Sequence, residues 1–449
     1  MHTTRQTDAE SIWEAGKSAV DPGRLIRAAL SVEGDTLSIG PNAFDLKTIG
    51  RIAVVGAGKA GRAMAEAVED VLGPDLLEAK NVTGSVNVLE EDAGVLSAIT
   101  LHGSRPRAMP IPTKEGQAGT EKMLEILKSL NESDLAICLL SGGGSAMMPA
   151  PVPAVSLAAK QEVTKLLSEA GATITELNTV RKHLSQVKGG RLAEQCSAGK
   201  LVSLIISDVV GDRLDTIASG PTAADDTTFE EALRILENPA IRDRVPKEIL
   251  DYIGRGTRGD VKDTPRSLPG SIVNLVIGSN AIALTASEAR ARELGYEVLN
   301  LGSRIEGESG EVAVVLAALA LSIKHEGRPV RPPVCVLAGG ETTVSNVAPG
   351  GKGGRNQELV LAALDHLSEW EMDGILIWSA GTDGEDGPTD AAGAFADGEV
   401  LDAARTRGLA PRRFLEESRS YDFFKEAGGH VITGATGTNV MDVCVILVA

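Results

Sequence analysis

The chain has 449 residues, 43% of them hydrophobic, enough to bury sizeable cores and too long for one ordinary core, so two domains are expected. Its 62 acidic and 44 basic side chains give a formal net charge of −18, which argues against nucleic acid or an anionic membrane surface as a partner. The longest uncharged apolar run, Val312–Ile323, is too short to span a bilayer, and no secretory segment follows Met1-His2-Thr3-Thr4, so a cytoplasmic protein is expected.

Taken in order, the apolar spacing alternates between helix and strand. Ser11–Val32 reads as two helices broken at Asp21-Pro22-Gly23, followed by a short strand at Arg51–Val55 and a helix at Ala60–Leu72. Strands are predicted at Asn81–Leu89, Ile99–His102 and Leu135–Leu140, with a helix over Thr113–Leu130. Helices over Ser156–Glu169 and Leu177–Glu194 precede a strand at Leu201–Ser207. Nearly continuous apolar strands separated by helices argue for a parallel sheet covered on both faces.

Between Tyr252 and Ser271 the sequence turns to Gly, Arg, Asp and Pro without periodicity, which marks the domain boundary. The expected domains are therefore 1–265, a Rossmann-like doubly wound sheet, and 271–449, a second α/β domain. Alternation resumes with strand Ile272–Ile277, helix Ala281–Leu294, strand Glu297–Leu301, helix Gly310–His325 and strand Pro333–Leu337. Helix Leu359–Leu367, strand Gly374–Trp378, a Gly/Asp-rich loop at Gly381–Gly398, helix Val400–Arg407 and strand Val443–Val448 complete it. The cysteines Cys138, Cys196, Cys335 and Cys444 are scattered without metal spacing and read as reduced thiols.

Open α/β sheets bind ligands in the loops after their strands, and several such loops here carry chemistry. Gly56-Ala57-Gly58-Lys59-Ala60-Gly61 satisfies the dinucleotide pattern, yet the acidic residue that should follow ~20 positions on is missing. Three readings stay open for it: a cofactor turn, a tight turn without ligand, or a turn whose Lys59 reaches phosphate. Ser141-Gly142-Gly143-Gly144-Ser145 reads as a nest of N–H donors or as a flexible turn. Arg181, Lys182, His183, Lys188 and Arg191 fall on one predicted helix, a basic cluster in an acidic chain or simply a solvated face. Asp208 ends a strand, where Mg²⁺ ligands are commonly found.

In the second half, Gly351–Glu358 is a cationic glycine loop running into a helix, and it looks built to hold an anion. Glycines expose backbone N–H groups, the helix N-terminus adds partial positive charge, and Arg355 offers a planar fork of donors. Glu341, in Gly339–Thr343, is a carboxylate of metal-ligand type. The acids of Ser379–Asp390, Asp383 among them, are expected to bind metal, orient a hydroxyl or form a solvated turn.

Eight ordered blocks then carry a resemblance: Val54–Gly61, Leu139–Ala146, Leu177–Glu194, Ile205–Thr222, Leu337–Val344, Gly353–Leu359, Ser379–Ala394 and Thr433–Asp442. Together they resemble the two-domain glycerate 2-kinase family, whose second domain is of the MOFRL type. The resemblance implies ATP-dependent phosphorylation of D-glycerate at its 2-hydroxyl, with ATP and Mg²⁺, in a cleft between the domains. It also implies that Lys59 and Arg355 are the catalytic residues. Gly58, Ser141 to Ser145, Arg181, Lys182 and Asn356 are then expected to bind substrate or phosphate, and Asp208, Glu341 and Asp383 metal. Homo-oligomers are common among such enzymes. Two departures from the family pattern stand out: Met109-Pro110-Ile111-Pro112-Thr113-Lys114, where many members carry His-Pro-x-Pro-Asp-Glu, and Ala435 in place of proline. The competing readings are an NAD(P)H-dependent hydroxypyruvate reductase and a non-catalytic sugar-phosphate sensor.

Overall fold

A computed structural model describes residues 4–345, 347–368 and 372–449, so the reading of Met1-His2-Thr3 lies outside the described residues. The chain forms two compact units, one of Pro22–Ile277 and one in which the residues up to Asp21 join Gly278–Ala449.

This division differs from the expected 1–265 and 271–449 on two counts. The helix Thr4–Ala19 packs into the second unit, not the first. Its Trp13 indole donates to the Ala380 carbonyl at 3.2 Å, Tyr296 donates to Asp8, and the Ser287 hydroxyl reaches the Ile12 carbonyl at 2.9 Å. Gly16 makes the approach possible, since a Cβ there would stand 2.4 Å from Ser287 Oγ. The second difference is the strand Ile272–Gly278, which forms an edge of the first unit's sheet. Both placements depend on partners far away in sequence, which local periodicity does not carry.

The first unit is built on a seven-stranded sheet in the order Ile272–Gly278, Lys200–Ile206, Leu135–Leu140, Ile52–Ala57, Thr83–Leu89, Ile99–Arg105, Gly94–Val95. Ile52–Ala57 pairs in parallel with Thr83–Leu89 on one side and with Leu135–Leu140 on the other. The chain thus winds outward in one direction and then returns to build the opposite half, which makes the carboxyl ends of Ile52–Ala57 and Leu135–Leu140 the switch point of the sheet. Both strands are buried along their whole length, as their β-branched and leucine content demands in a sheet covered on both faces. A small antiparallel sheet of Leu30–Glu33, Thr36–Ile39 and Asn42–Asp45, which the alternation did not reveal, precedes it.

The second unit also centres on a seven-stranded sheet, but a mixed one. Asp442–Val448 lies between Val334–Thr343 and Ile375–Gly381 and is antiparallel to both. Glu297–Asn300 and Ile305–Glu308 pair in parallel with Val334–Thr343. Cys138, Cys335 and Cys444 are buried free thiols, and burial pushes the Cys138 and Cys444 pKa values up to about 12. Among the described residues no helix is long and apolar enough to cross a membrane.

Candidate functional site

In the first unit the two loops at the switch point are joined. The Lys59 N–H donates to the Gly142 carbonyl at 2.9 Å, and the Ala60 N–H to Ser141 Oγ at 3.1 Å. Gly58, at φ +150°, is required here because a Cβ would lie 2.1 Å from that hydroxyl. A Cβ on Gly143, whose φ is +79°, would meet the Arg105 guanidinium at 3.3 Å and Lys59 Cγ at 3.4 Å. The Lys59 stem and Arg105 therefore converge over the glycines of Ser141–Ser145. Arg105, which ends its strand, is an element that sequence reasoning missed. Its Nη1 donates to the carbonyls of Pro106, Arg107 and Met109, so it also holds the segment that departs from the family pattern.

A buried chain of polar groups runs on from this loop. Lys188 Nζ donates to Ser145 Oγ at 2.9 Å and to the Ser145 carbonyl at 2.8 Å. Ser145 Oγ lies 2.8 Å from Ser219 Oγ, which donates to Asn178 Oδ1 at 3.1 Å. Ser219 sits in a run of left-handed residues, Ala218 at φ 50°, Ser219 at 63° and Gly220 at 63°. Non-glycine residues adopt this conformation at a cost of ~1–3 kcal/mol each, and they persist only where the surroundings fix them. Here the N–H groups of Gly189 and Gly190 grip the Ser219 and Gly220 carbonyls at 3.0 and 2.7 Å.

The predicted helix Leu177–Glu194 needs correction. The helix runs over Ile174–His183, and Gly189 and Gly190, at φ 57° and 79°, turn the chain before Arg191–Glu194. Arg181 and Lys188 are thus not on one helical face. They remain electrostatic neighbours: burial first, then Lys160 and Arg181, push the Lys188 pKa well down. Lys160 is lowered to about 7 by burial and by Arg181 and Arg191. Burial lowers the Arg181 pKa as well. Lys182 differs: only 2% of its side chain is exposed, and its ammonium is 3.0 Å from Asp225 and 3.6 Å from Asp215, so its charge is matched within the fold and not presented to phosphate. His183 is fully buried between the Thr179 carbonyl and Asp263, a satisfied core residue.

In the second unit Arg355 opens the helix Arg355–Ser368. Its Nε and Nη2 grip both oxygens of Asp442 at 2.6 and 3.0 Å, and Nη1 is 2.8 Å from Glu341. Burial opposes its charge, but Asp442, with Glu341 and Asp386, holds its pKa above the usual arginine value. The expectation that this helix N-terminus lies open to an anion needs correction. The buried Asp386 carboxylate accepts from the Asn356 and Gln357 N–H groups at 3.0 and 2.9 Å and fills that position. Gly354 owes its identity to the same contact, since a Cβ would stand 2.3 Å from Asp386 Cγ. Asn356 is likewise internal, 2% exposed, with its amide bonded to Asp442, Asp386 and Ser379, so it orders carboxylates and not a ligand. Asp386 and Asp442 lie inside motifs read from sequence, but only their three-dimensional pairing singles them out.

Glu358, one position into this network, has its pKa raised from 4.5 to about 7 by burial and by the nearby Glu308 and Asp386. Between those values the folded protein binds more protons than the unfolded chain, so stability falls as pH rises through that window. Glu358→Gln is expected to raise the thermal midpoint at pH 8 and to leave it unchanged near pH 4, as read by calorimetry at both pH values.

The expected metal ligands are divided between the two units. Asp208, half-buried, belongs to the first unit, while Glu341 and Asp383 belong to the second. Glu341 is paired with Arg355, and Asp383 Oδ1 accepts from the Glu385 N–H at 3.1 Å. Among the described residues no three His, Cys, Asp or Glu side chains are gathered to hold a metal ion.

Comparison with known proteins places this architecture. The family described as "Domain of unknown function (DUF4147)" matches residues 8–254, and the MOFRL family matches residues 334–442. The chain is 39% identical to the glycerate 2-kinase of Pyrococcus horikoshii, over 99% of this chain and 97% of that protein. It is 38% identical to the D-glycerate 2-kinase of Thermotoga maritima, over 89% and 91%. The crystal structure of a Thermotoga maritima glycerate kinase superposes with a TM-score of 0.86 at 34% identity, covering 99% of this chain and 100% of that one. By both sequence and fold, the chain belongs to the glycerate 2-kinase family.

Proposed function

We propose that the protein is a glycerate 2-kinase that transfers the γ-phosphoryl group of ATP to the 2-hydroxyl of D-glycerate, giving 2-phosphoglycerate and ADP. The observation that carries the reading is the pair of loops joined at the switch point, with Lys59 and Arg105 converging over Ser141–Ser145 in a chain whose net charge of −18 otherwise disfavours anions. The names of the full-length relatives support the reaction.

Phosphoryl transfer rests chiefly on positioning and on neutralising charge. Lys59 neutralises oxygens of the transferring group or of the glycerate carboxylate, and Ser141–Ser145 receives the anion through backbone N–H groups. Arg355 is held charged and oriented by Asp442, which leaves its Nη1 edge, now on Glu341, as the one to exchange onto phosphate. Arg181 is assigned to the same anion by the family resemblance alone. Mg²⁺ of a nucleotide is held largely by phosphates and water with one or two carboxylates. Asp208, Glu341 and Asp383 are the candidates for those one or two oxygen donors, and the ion when bound would offset charge on the phosphate oxygens.

The test uses purified protein with ATP, Mg²⁺ and D-glycerate, coupled to enolase without a mutase, beside a separate assay with NADH and hydroxypyruvate. Signal in the first alone is the expected result, and NADH oxidation alone would replace the kinase by a reductase. Lys59→Ala is expected to lower kcat about 10²–10³-fold. Near-normal turnover in that variant would remove Lys59 from the reaction.

A further inference from the structure

The first unit contains a cavity of about 610 Å³, walled by residues from 174–182, 213–227 and 268–274, that none of the assigned residues except Lys182 lines. Resting on the ATP-dependent reading, we propose that this cavity is the nucleoside site, receiving the purine and ribose of the triphosphate.

Size is the first argument. Sites for nucleoside-sized ligands run to roughly 300–1,000 Å³, whereas a three-carbon acid would leave most of this one empty. Charge is the second. The cavity's two cations are matched internally, Lys182 by Asp225 and Asp215, and Arg213 by Asp215 at 3.0 Å. With Asp226 also on its wall, the cavity repels carboxylate and phosphate while offering acceptors to sugar hydroxyls.

The remaining walls suit a flat heterocycle. Ile174, Leu214, Leu268 and Ile272 supply aliphatic faces, and the Asn178 and Asn274 amides lie among them. Among the described residues no aromatic side chain lines the cavity, so the base is held between aliphatic groups. Position is the third argument. Asn178, in the cavity wall, bonds Ser219, which bonds Ser145 of the glycine loop, at 3.1 and 2.8 Å. Two hydrogen bonds thus link the wall to the loop assigned to phosphate. A nucleoside in the cavity would direct its 5′ end toward that loop, away from the carboxylates that match the cavity's own cations.

Two measurements test this. Photolabelling of the wild-type chain with 8-azido-ATP is expected to mark peptides within 174–182 or 213–227, and ADP binding is followed by calorimetry without glycerate. Ala224→Trp, at an exposed position on the cavity wall, is expected to raise the ATP KM and the ADP Kd about tenfold while leaving the glycerate KM within about twofold. Thr175→Trp, also exposed and on the wall, repeats the test should the first variant fold poorly. Labelling confined to other peptides, or nucleotide affinity unchanged in both variants, overturns the proposal while the kinase reading stands. ADP binding that both variants weaken, without any glycerate phosphorylation, supports the cavity and defeats the kinase reading. A wild-type chain that binds no nucleotide defeats both.

Discussion

Arg355→Lys is expected to fold normally and to turn over ATP and D-glycerate about 10³-fold more slowly than the wild type, within the range an arginine on a transferring phosphoryl group contributes. Lysine keeps the positive charge beside Asp442 and Glu341, so it does not strand two carboxylates. It cannot reproduce a fork that grips Asp442 through Nε and Nη2 and still presents Nη1. The comparison that isolates geometry from charge is kcat at saturating ATP, with the thermal midpoint measured in parallel. Equal kcat values would mean that the planar fork serves only the Asp442 pair. Asp442→Asn gives the complement: its loss should fall on kcat more than on either KM if the carboxylate orients Arg355 and touches no substrate.

Lys182→Met is expected to destabilise the first unit by about 3–5 kcal/mol, because it leaves the Asp225 carboxylate buried without its cation. The two side chains are 2% and 1% exposed, and the hydrogen bonds from Thr227 to Asp225 do not replace a charge. Lys182→Met combined with Asp225→Leu should recover most of the loss, since removing both partners leaves no uncompensated charge. Urea denaturation of the three proteins decides it. A single variant that unfolds at the wild-type midpoint would show that the Lys182–Asp225 pair contributes nothing to stability.

Features set by local pattern were legible in the sequence. Strand, glycine turn and helix follow one another around Lys59 within a few residues, and the apolar run into Ser141–Ser145 marks a strand that ends at a loop. Arg355 was visible for the same reason, as the charged residue between glycines and an apolar helix. The partners of these groups were not. Asp442 is far along the chain from Arg355, and the strand Asp442–Val448 brings it there by pairing with Val334–Thr343. The glycines of Gly351–Gly354 read as ligand-binding because glycine signals close approach without saying to what. At Gly354 the answer is Asp386. Likewise apolar spacing continued through Leu177–Glu194, whereas the helix ends at His183, where Leu184 and Ser185 pair with Val152 and Pro151, partners that lie far back along the chain. The strands of Leu30–Asp45, four residues each, are too short to show a period.

The central position of Asp442–Val448 fixes an order of events during synthesis. Both strands that flank it, Val334–Thr343 and Ile375–Gly381, leave the ribosome before it does, and each then carries an unpaired apolar edge. Thr4–Ala19, made earliest of all, waits for its Ala380 partner until most of the chain is made, and the neighbouring Val20 carbonyl accepts from the Thr438 hydroxyl only near the end. The Pro22–Ile277 unit closes its own sheet while the rest is still being translated, and so is free to fold first. The second unit has to keep its first helix and two sheet edges waiting until a single strand arrives. It is therefore the half of the molecule on which chaperones are expected to act, and the half whose interruption during translation leads to aggregation.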